Sequence, residues 1–200
     1  FFEFVFVNGK LMVVFGVCGG VLVFMSALLF PWLSKRFNRK QIFQISVILP
    51  IVGYLGIVLT TFFLNNNYIG LIFFGTLVFL GIGFSMIIQT LLLSDSVEYG
   101  EWKLGERTEG IIFSVQTFMV KFSYAVSSGL SGVGLALLNF KENQVQTAST
   151  IYGMRVMIFV IPVIGLIIAL RIYNKHFNLD EKTYKNIIND LEERKKTKGE

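Results

Sequence analysis

Residues 11–33 and 68–93 of this chain contain no Asp, Glu, Lys or Arg. Each run is long enough to cross the hydrocarbon core of a bilayer, which takes roughly 20 apolar residues in a helix. Inside lipid the backbone must satisfy its own hydrogen bonds, so such a run is helical. Buried helices of soluble proteins are usually shorter. Soluble domains also carry about 25% charged residues, whereas this chain has 16% charged and 54% hydrophobic residues. The expected fold class is therefore an all-α membrane protein.

Five full spans are predicted, at 11–33, 42–64, 68–93, 109–138 and 151–172. Residues 1–7 read as the end of a further hydrophobic helix, closed by a turn at Asn8-Gly9. The chain opens at Phe1 with no Met and no basic leader, so it is expected to be a fragment, with no recognisable signal peptide. The domain expectation is a helical bundle over 1–177 and a tail over 178–200. In the tail, Tyr184, Ile187, Ile188 and Leu191 recur at helical spacing between charges, and Asn178 followed by Glu181 resembles a helix start. This predicts an amphipathic helix on the cytoplasmic face, with a solvated end past Glu193 as the alternative.

The net charge of +5 does not point to nucleic acid, because the basic residues cluster at span ends and in the tail. There they orient a membrane protein. Lys35, Arg36, Arg39 and Lys40 place the loop after the first full span in the cytoplasm. The uncharged 65–67 loop and the nearly neutral 139–150 segment lie outside, the charged 94–108 loop lies inside, and Arg171 and Lys175 bring the C-terminus inside. The alternation holds across every loop. One cysteine, Cys18, and one histidine, His176, give no basis for a disulfide framework or a metal cluster.

A charge placed in hydrocarbon is costly and is a functional candidate by default. Lys121 lies more than three helical turns past Arg107, well inside the fourth full span. Ser114, Thr117, Lys121, Ala125, Ser128 and Gly132 form one stripe at steps of three or four, with Met119, Phe122 and Val126 on the other side. Small residues serve close helix packing or line a water-filled cavity; the lysine in the middle favours the cavity. Arg155 and Glu3 lie near outer ends, where long side chains reach the interface. Gly81, Ser85 and Gln89 repeat at steps of four in the third span and fit interhelical packing or hydrogen bonding equally. Asp95, Glu98, Glu101, Lys103, Glu106, Arg107 and Glu109 crowd the 94–109 segment, where ion pairs could hold two domains together and break when they part. There is no Gly-rich phosphate loop to support ATP-driven transport.

The string Asp95-x-x-Glu98-Tyr99-Gly100-Glu101-x-Lys103-x-x-x-Arg107-x-Glu109, with Ser114-Val115-Gln116-Thr117 and Lys121 after it, resembles the signature of the glycoside–pentoside–hexuronide cation symporters. The likeness is greatest to their bacterial melibiose-carrying members. It extends over essentially the whole chain, through FPWLSKRFNRK at 30–40, Ile48-Leu49-Pro50, Gln89 and Pro162. It implies a major-facilitator fold of twelve helices in two six-helix halves, with this chain as helices eight to twelve and the end of seven. Lys121 is implied at the sugar and cation region, with Gln116, Thr117 and Gln89 near the sugar. Asp95, Glu98, Glu101, Lys103 and Arg107 are implied in a cytoplasmic gate. Glu98 replaces an Asp, and Met86 replaces a Trp close to the sugar, which leaves another glycoside, a pentoside or a hexuronide open.

The expected function is secondary active sugar symport by alternating access, not enzymatic catalysis. No tightly bound cofactor is expected. The coupling ion would be Na⁺, Li⁺ or H⁺, held mainly by the absent N-terminal half. Expected partners are a small sugar, that half and the lipid bilayer of the bacterial cytoplasmic membrane. The alternatives are a transporter of a lipid or other amphiphile on the same fold, and a non-transporting membrane scaffold.

Overall fold

The computed structural model describes residues 10–63, 68–141, 144, 146–177 and 181–198. The expectations for residues 1–7, Glu3, the Asn8-Gly9 turn, the 65–67 loop and Asn178 fall outside the described residues. The helices are α1 (Lys10–Arg36), α2 (Arg39–Phe63), α3 (Tyr68–Leu104), α4 (Glu109–Leu137), α5 (Ala148–Arg155), α6 (Ile161–His176) and α7 (Glu181–Lys198). A π-helical turn, Val156–Val160, joins α5 to α6 in one continuous rod. Pro162 accounts for that turn: its nitrogen cannot donate to the carbonyl one turn back, and its ring crowds that carbonyl.

Four of these rods are long and apolar enough to cross a membrane: Phe15–Arg36, Arg39–Thr61, Ile69–Leu104 and Ala148–His176. The fifth expected span, α4, has the length, at 29 residues, but not the apolar character of the others. Gln116, Lys121 and its run of serines and glycines lower it. Two other boundaries differ from expectation. The segment expected as a charged loop from 94 is helix up to Leu104, and the turn is confined to Gly105–Thr108, with Gly105 at φ +77°. Charged residues do not end a helix; a glycine in the left-handed region does. The last span starts earlier and ends later than 151–172, reaching His176.

α2 and α3 form the most extensive contact, α1 packs on another side of α3, and α6 packs on α2. Ile57, Leu71, Val78 and Phe159 make one buried cluster. Phe30, Leu33, Ile42, Phe84 and Ile88 make a second, nearer the charged end. Small residues allow the close approach of α2 to α3: a Cβ on Gly53 would stand 2.6 Å from Val78 Cγ2 and 2.8 Å from the Phe74 carbonyl. Three buried hydroxyls in this core are satisfied locally. Ser26, Ser46 and Thr60 donate to carbonyls three residues back, on Val23, Phe43 and Ile57.

Candidate functional site

α4 stands apart from this core. None of its residues is buried. Its far end is tied down where Thr150 Oγ1 donates to the Leu138 carbonyl at 2.8 Å and Met157 packs on Gly134. Between α3 and α4 lies a cleft of about 660 Å³, with Gln89 and Ser96 on one wall and Gln116, Met119, Val120, Ser123 and Tyr124 on the other. Two amides and several hydroxyls on an otherwise apolar wall suit a solute that presents many hydroxyl groups, because both amide faces donate and accept.

The two readings left open for the third span divide along the helix. Gly81 packs on Pro50, and Ser85 donates to the Ser46 carbonyl at 3.2 Å, so both serve the contact with α2. Gln89, eight residues past Gly81, is rotated by about 80° and turns to the cleft. Met86 is 61% exposed and is not on the cleft lining.

The α4 stripe faces a different way from the cleft. Ser114, Thr117, Lys121, Ala125, Ser128 and Gly132 are all exposed. Thr117 donates back to the Phe113 carbonyl at 2.9 Å. Lys121 has no ion pair or hydrogen bond among the described residues. Gln116 is thus brought together with Gln89, whereas Thr117 and Lys121 present themselves on the unpacked face of the same helix.

The charged residues assemble at one end of the bundle. Arg39, in the first turn of α2, forms an ion pair with Asp95 of α3, whose side chain is 3% exposed. The Arg39 guanidinium lies 3.9 Å from the centre of the Tyr184 ring on α7. The Tyr184 hydroxyl donates to Glu98. Burial, and then that hydrogen bond, push the phenol of Tyr184 above its ordinary pKa. Farther along α3, Trp102 Nε1 donates to Asp190 at 3.1 Å, and Arg194 donates to the Trp102 carbonyl at 3.0 Å. Ile187 and Leu191 are buried beneath α7. Gln44 Nε2 donates to Asn174 Oδ1 at 2.9 Å, which ties the start of α2 to the end of α6.

The residues expected in a cytoplasmic gate therefore split into two groups. Asp95 and Glu98 are engaged by Arg39 and Tyr184. Glu101 and Arg107 stand 3.6 Å apart at the α3–α4 turn, and Arg107 donates to Glu109 at 3.0 Å. That hydrogen bond is the largest cause holding the Arg107 guanidinium above its ordinary pKa, followed by the charges of Glu109 and Glu101. Lys103 sits 5.6 Å from the Tyr99 ring centre. In the sequence Arg39 stands out for orienting the chain and as part of the FPWLSKRFNRK stretch, and Tyr184 only for the apolar spacing of the tail. Their role beside Asp95 and Glu98 depends on contacts between residues far apart in the chain and carries no local signal.

A family model described as MFS/sugar transport protein matches residues 1–181. A candidate 2,3-dihydroxypropane-1-sulfonate exporter of Salmonella typhimurium is 31% identical over 175 residues, covering 88% of this chain and 37% of that protein. A candidate sulfoquinovose importer of Escherichia coli K12 is 31% identical over 173 residues, covering 86% and 36%. An isoprimeverose transporter of Lactiplantibacillus pentosus is 29% identical over 178 residues, covering 87% and 36%. The chain spans little more than a third of the length of these curated relatives. This multi-pass membrane protein belongs to the MFS/sugar transport protein family, a family of transporters and not of enzymes, as its likeness to the glycoside–pentoside–hexuronide symporters implied.

Proposed function

We propose that this chain supplies the sugar-contacting and gating helices of a secondary active, cation-coupled sugar transporter. The observation that carries the reading is α4. It is a membrane-length helix with no buried residue, an amide-lined cleft on one side and, on another, a lysine with no partner among the described residues. A helix that only filled space would bury an apolar face. α4 instead offers hydrogen-bonding groups in two directions, as a helix does when solute and a second half of the transporter meet it. Substrate would then lie near mid-membrane between the halves, which rock for alternating access. The coupling ion would be Na⁺, Li⁺ or H⁺, bound mainly outside these residues.

Within that reading an anionic sugar is favoured over a neutral galactoside. Lys121 offers an ammonium with no partner among the described residues, and Met86 stands where the resemblance implies an aromatic residue on which a sugar ring would stack. One relative is named for 2,3-dihydroxypropane-1-sulfonate, one for sulfoquinovose and one for isoprimeverose, which supports a hydroxyl-rich substrate. The gate reading assigns Glu101, Lys103 and Arg107 to contacts that break as the halves part. Asp95 and Glu98 take part through their own half.

The test is uptake by the full-length protein in proteoliposomes under Na⁺, Li⁺ or H⁺ gradients. A panel of neutral, uronate and sulfonate sugars would serve as substrates. Gradient-dependent accumulation of an anionic sugar is expected. Accumulation of amphiphiles with no sugar uptake would overturn the reading in favour of the lipid-carrier alternative.

A further inference from the structure

The C-terminal helix meets α3 through chemistry that a passive tail has no need of. Tyr184 holds two partners at once: its ring lies under the Arg39 guanidinium, and its hydroxyl is bonded to Glu98. Arg39 in turn is the partner of Asp95. One side chain of α7 therefore touches both members of the charged layer, on α2 and on α3.

The docking is also shallow. Ile187 and Leu191 are the buried apolar side chains of α7 among its described residues, and polar contacts through Trp102, Asp190 and Arg194 add to them. A segment held by few apolar contacts sits at the low-stability end of a fold and opens locally without global unfolding. Beneath it the polar layer is incompletely bonded: Asp95 Oδ2 and Tyr173 Oη are buried and have no hydrogen-bond partner among the described residues. Buried groups left in this way mark an arrangement with unused bonding capacity, one of the few exceptions native proteins retain.

We propose that α7 is a latch on the cytoplasmic end of this half, closed by Tyr184 across Arg39 and Glu98, and that it lifts when that end opens. Docked, it immobilises the Arg39–Asp95 pair and keeps Glu98 occupied. Lifted, it frees Glu98 and exposes the pair to water, so the ends of α2 and α3 can separate. Order–order and order–disorder changes of such terminal elements are a recurring means of gating. In this scheme Tyr184 is a positioning residue that acts through Arg39 and Glu98 and does not touch sugar. The latch rests on the transport reading above for its role in the cycle, but its existence can be tested without sugar.

The experiment uses the full-length protein with Cys18→Ser and Leu191→Cys, in inside-out vesicles, with a membrane-impermeant maleimide. Leu191 is buried under the docked helix, so slow labelling is expected. Tyr184→Ala should raise the labelling rate several-fold without any sugar present, and Tyr184→Phe, which keeps the ring on Arg39, should raise it less. During gradient-driven sugar uptake the rate should rise in the protein with Tyr184 intact. Tyr184→Ala should also lower the maximal uptake rate while leaving the sugar Kd unchanged, a split that simple loss of fold does not give. Labelling indifferent to Tyr184→Ala would overturn the latch. So would labelling that stays slow during active uptake, since α7 would then be a permanent brace. A protein whose labelling responds to Tyr184→Ala but that transports no sugar keeps the docking and refutes the transport reading instead.

Discussion

The Arg39 guanidinium closes an ion pair on Asp95, a residue only 2% exposed near the end of a membrane helix. Removing one member of such a pair leaves the other buried and uncompensated, at a cost of about 3–5 kcal/mol. Arg39→Gln is therefore expected to lower the thermal transition of the purified protein substantially. Asp95→Asn added to it should recover much of the loss. If the double variant is no more stable than Arg39→Gln, the pair does not carry the stability of this end.

Lys121 lies on the exposed face of α4 with no partner among the described residues. An ammonium in a low-dielectric setting needs an anionic or hydroxyl partner, which sugar or the other half of the transporter would supply. In the full-length protein Lys121→Val should abolish sugar binding and uptake while expression stays near normal. Lys121→Arg should rescue poorly, because a planar fork does not reproduce a compact ammonium. Wild-type affinity in Lys121→Val would remove the lysine from the site.

Gln89 and Gln116 border the same cleft from opposite helices. Losing one buried hydrogen-bonding partner costs about 1–3 kcal/mol. Gln116→Leu should therefore weaken sugar binding by roughly ten-fold or more, and Gln89→Leu should do the same. Groups that share one ligand do not act independently. The double variant should accordingly lose less than the product of the two single effects when the sugar Kd is measured by calorimetry. Strict multiplicativity would mean that the two amides do not meet one solute.

The charged end, with Lys35, Arg36, Arg39 and Lys40, is expected to face the cytoplasm together with α7. Single cysteines at Asn66 and at Lys198 should be labelled from opposite sides of the membrane in intact cells. Labelling of both from the same side would refute the topology.

Much of the architecture was legible in the chain itself. A charge-free run such as 11–33 or 68–93 has one low-energy form in lipid, a helix, because no water is there to bond a freed backbone group. The Asp95–Arg107 string and the lysine after it gave the family, which the match over residues 1–181 bears out. Even the amphipathic tail could be read from Tyr184, Ile187 and Leu191 at helical spacing.

What the chain could not show was which polar residues spend their bonds inside this half. The sequence places Asp95 and Glu98 in one charged string with Glu101 and Arg107, and local spacing treats all four alike. Only the tertiary structure separates them, because Arg39 and Tyr184 arrive from distant parts of the chain and occupy the first two. The same holds along α3, where Gly81 and Ser85 belong to packing and Gln89 to the cleft. A helix rotates by 100° per residue, so a face read at steps of four drifts, and a neighbour's position decides where packing stops and the open wall begins. Charge and periodicity are properties of a local string; partnership is fixed only when the helices meet.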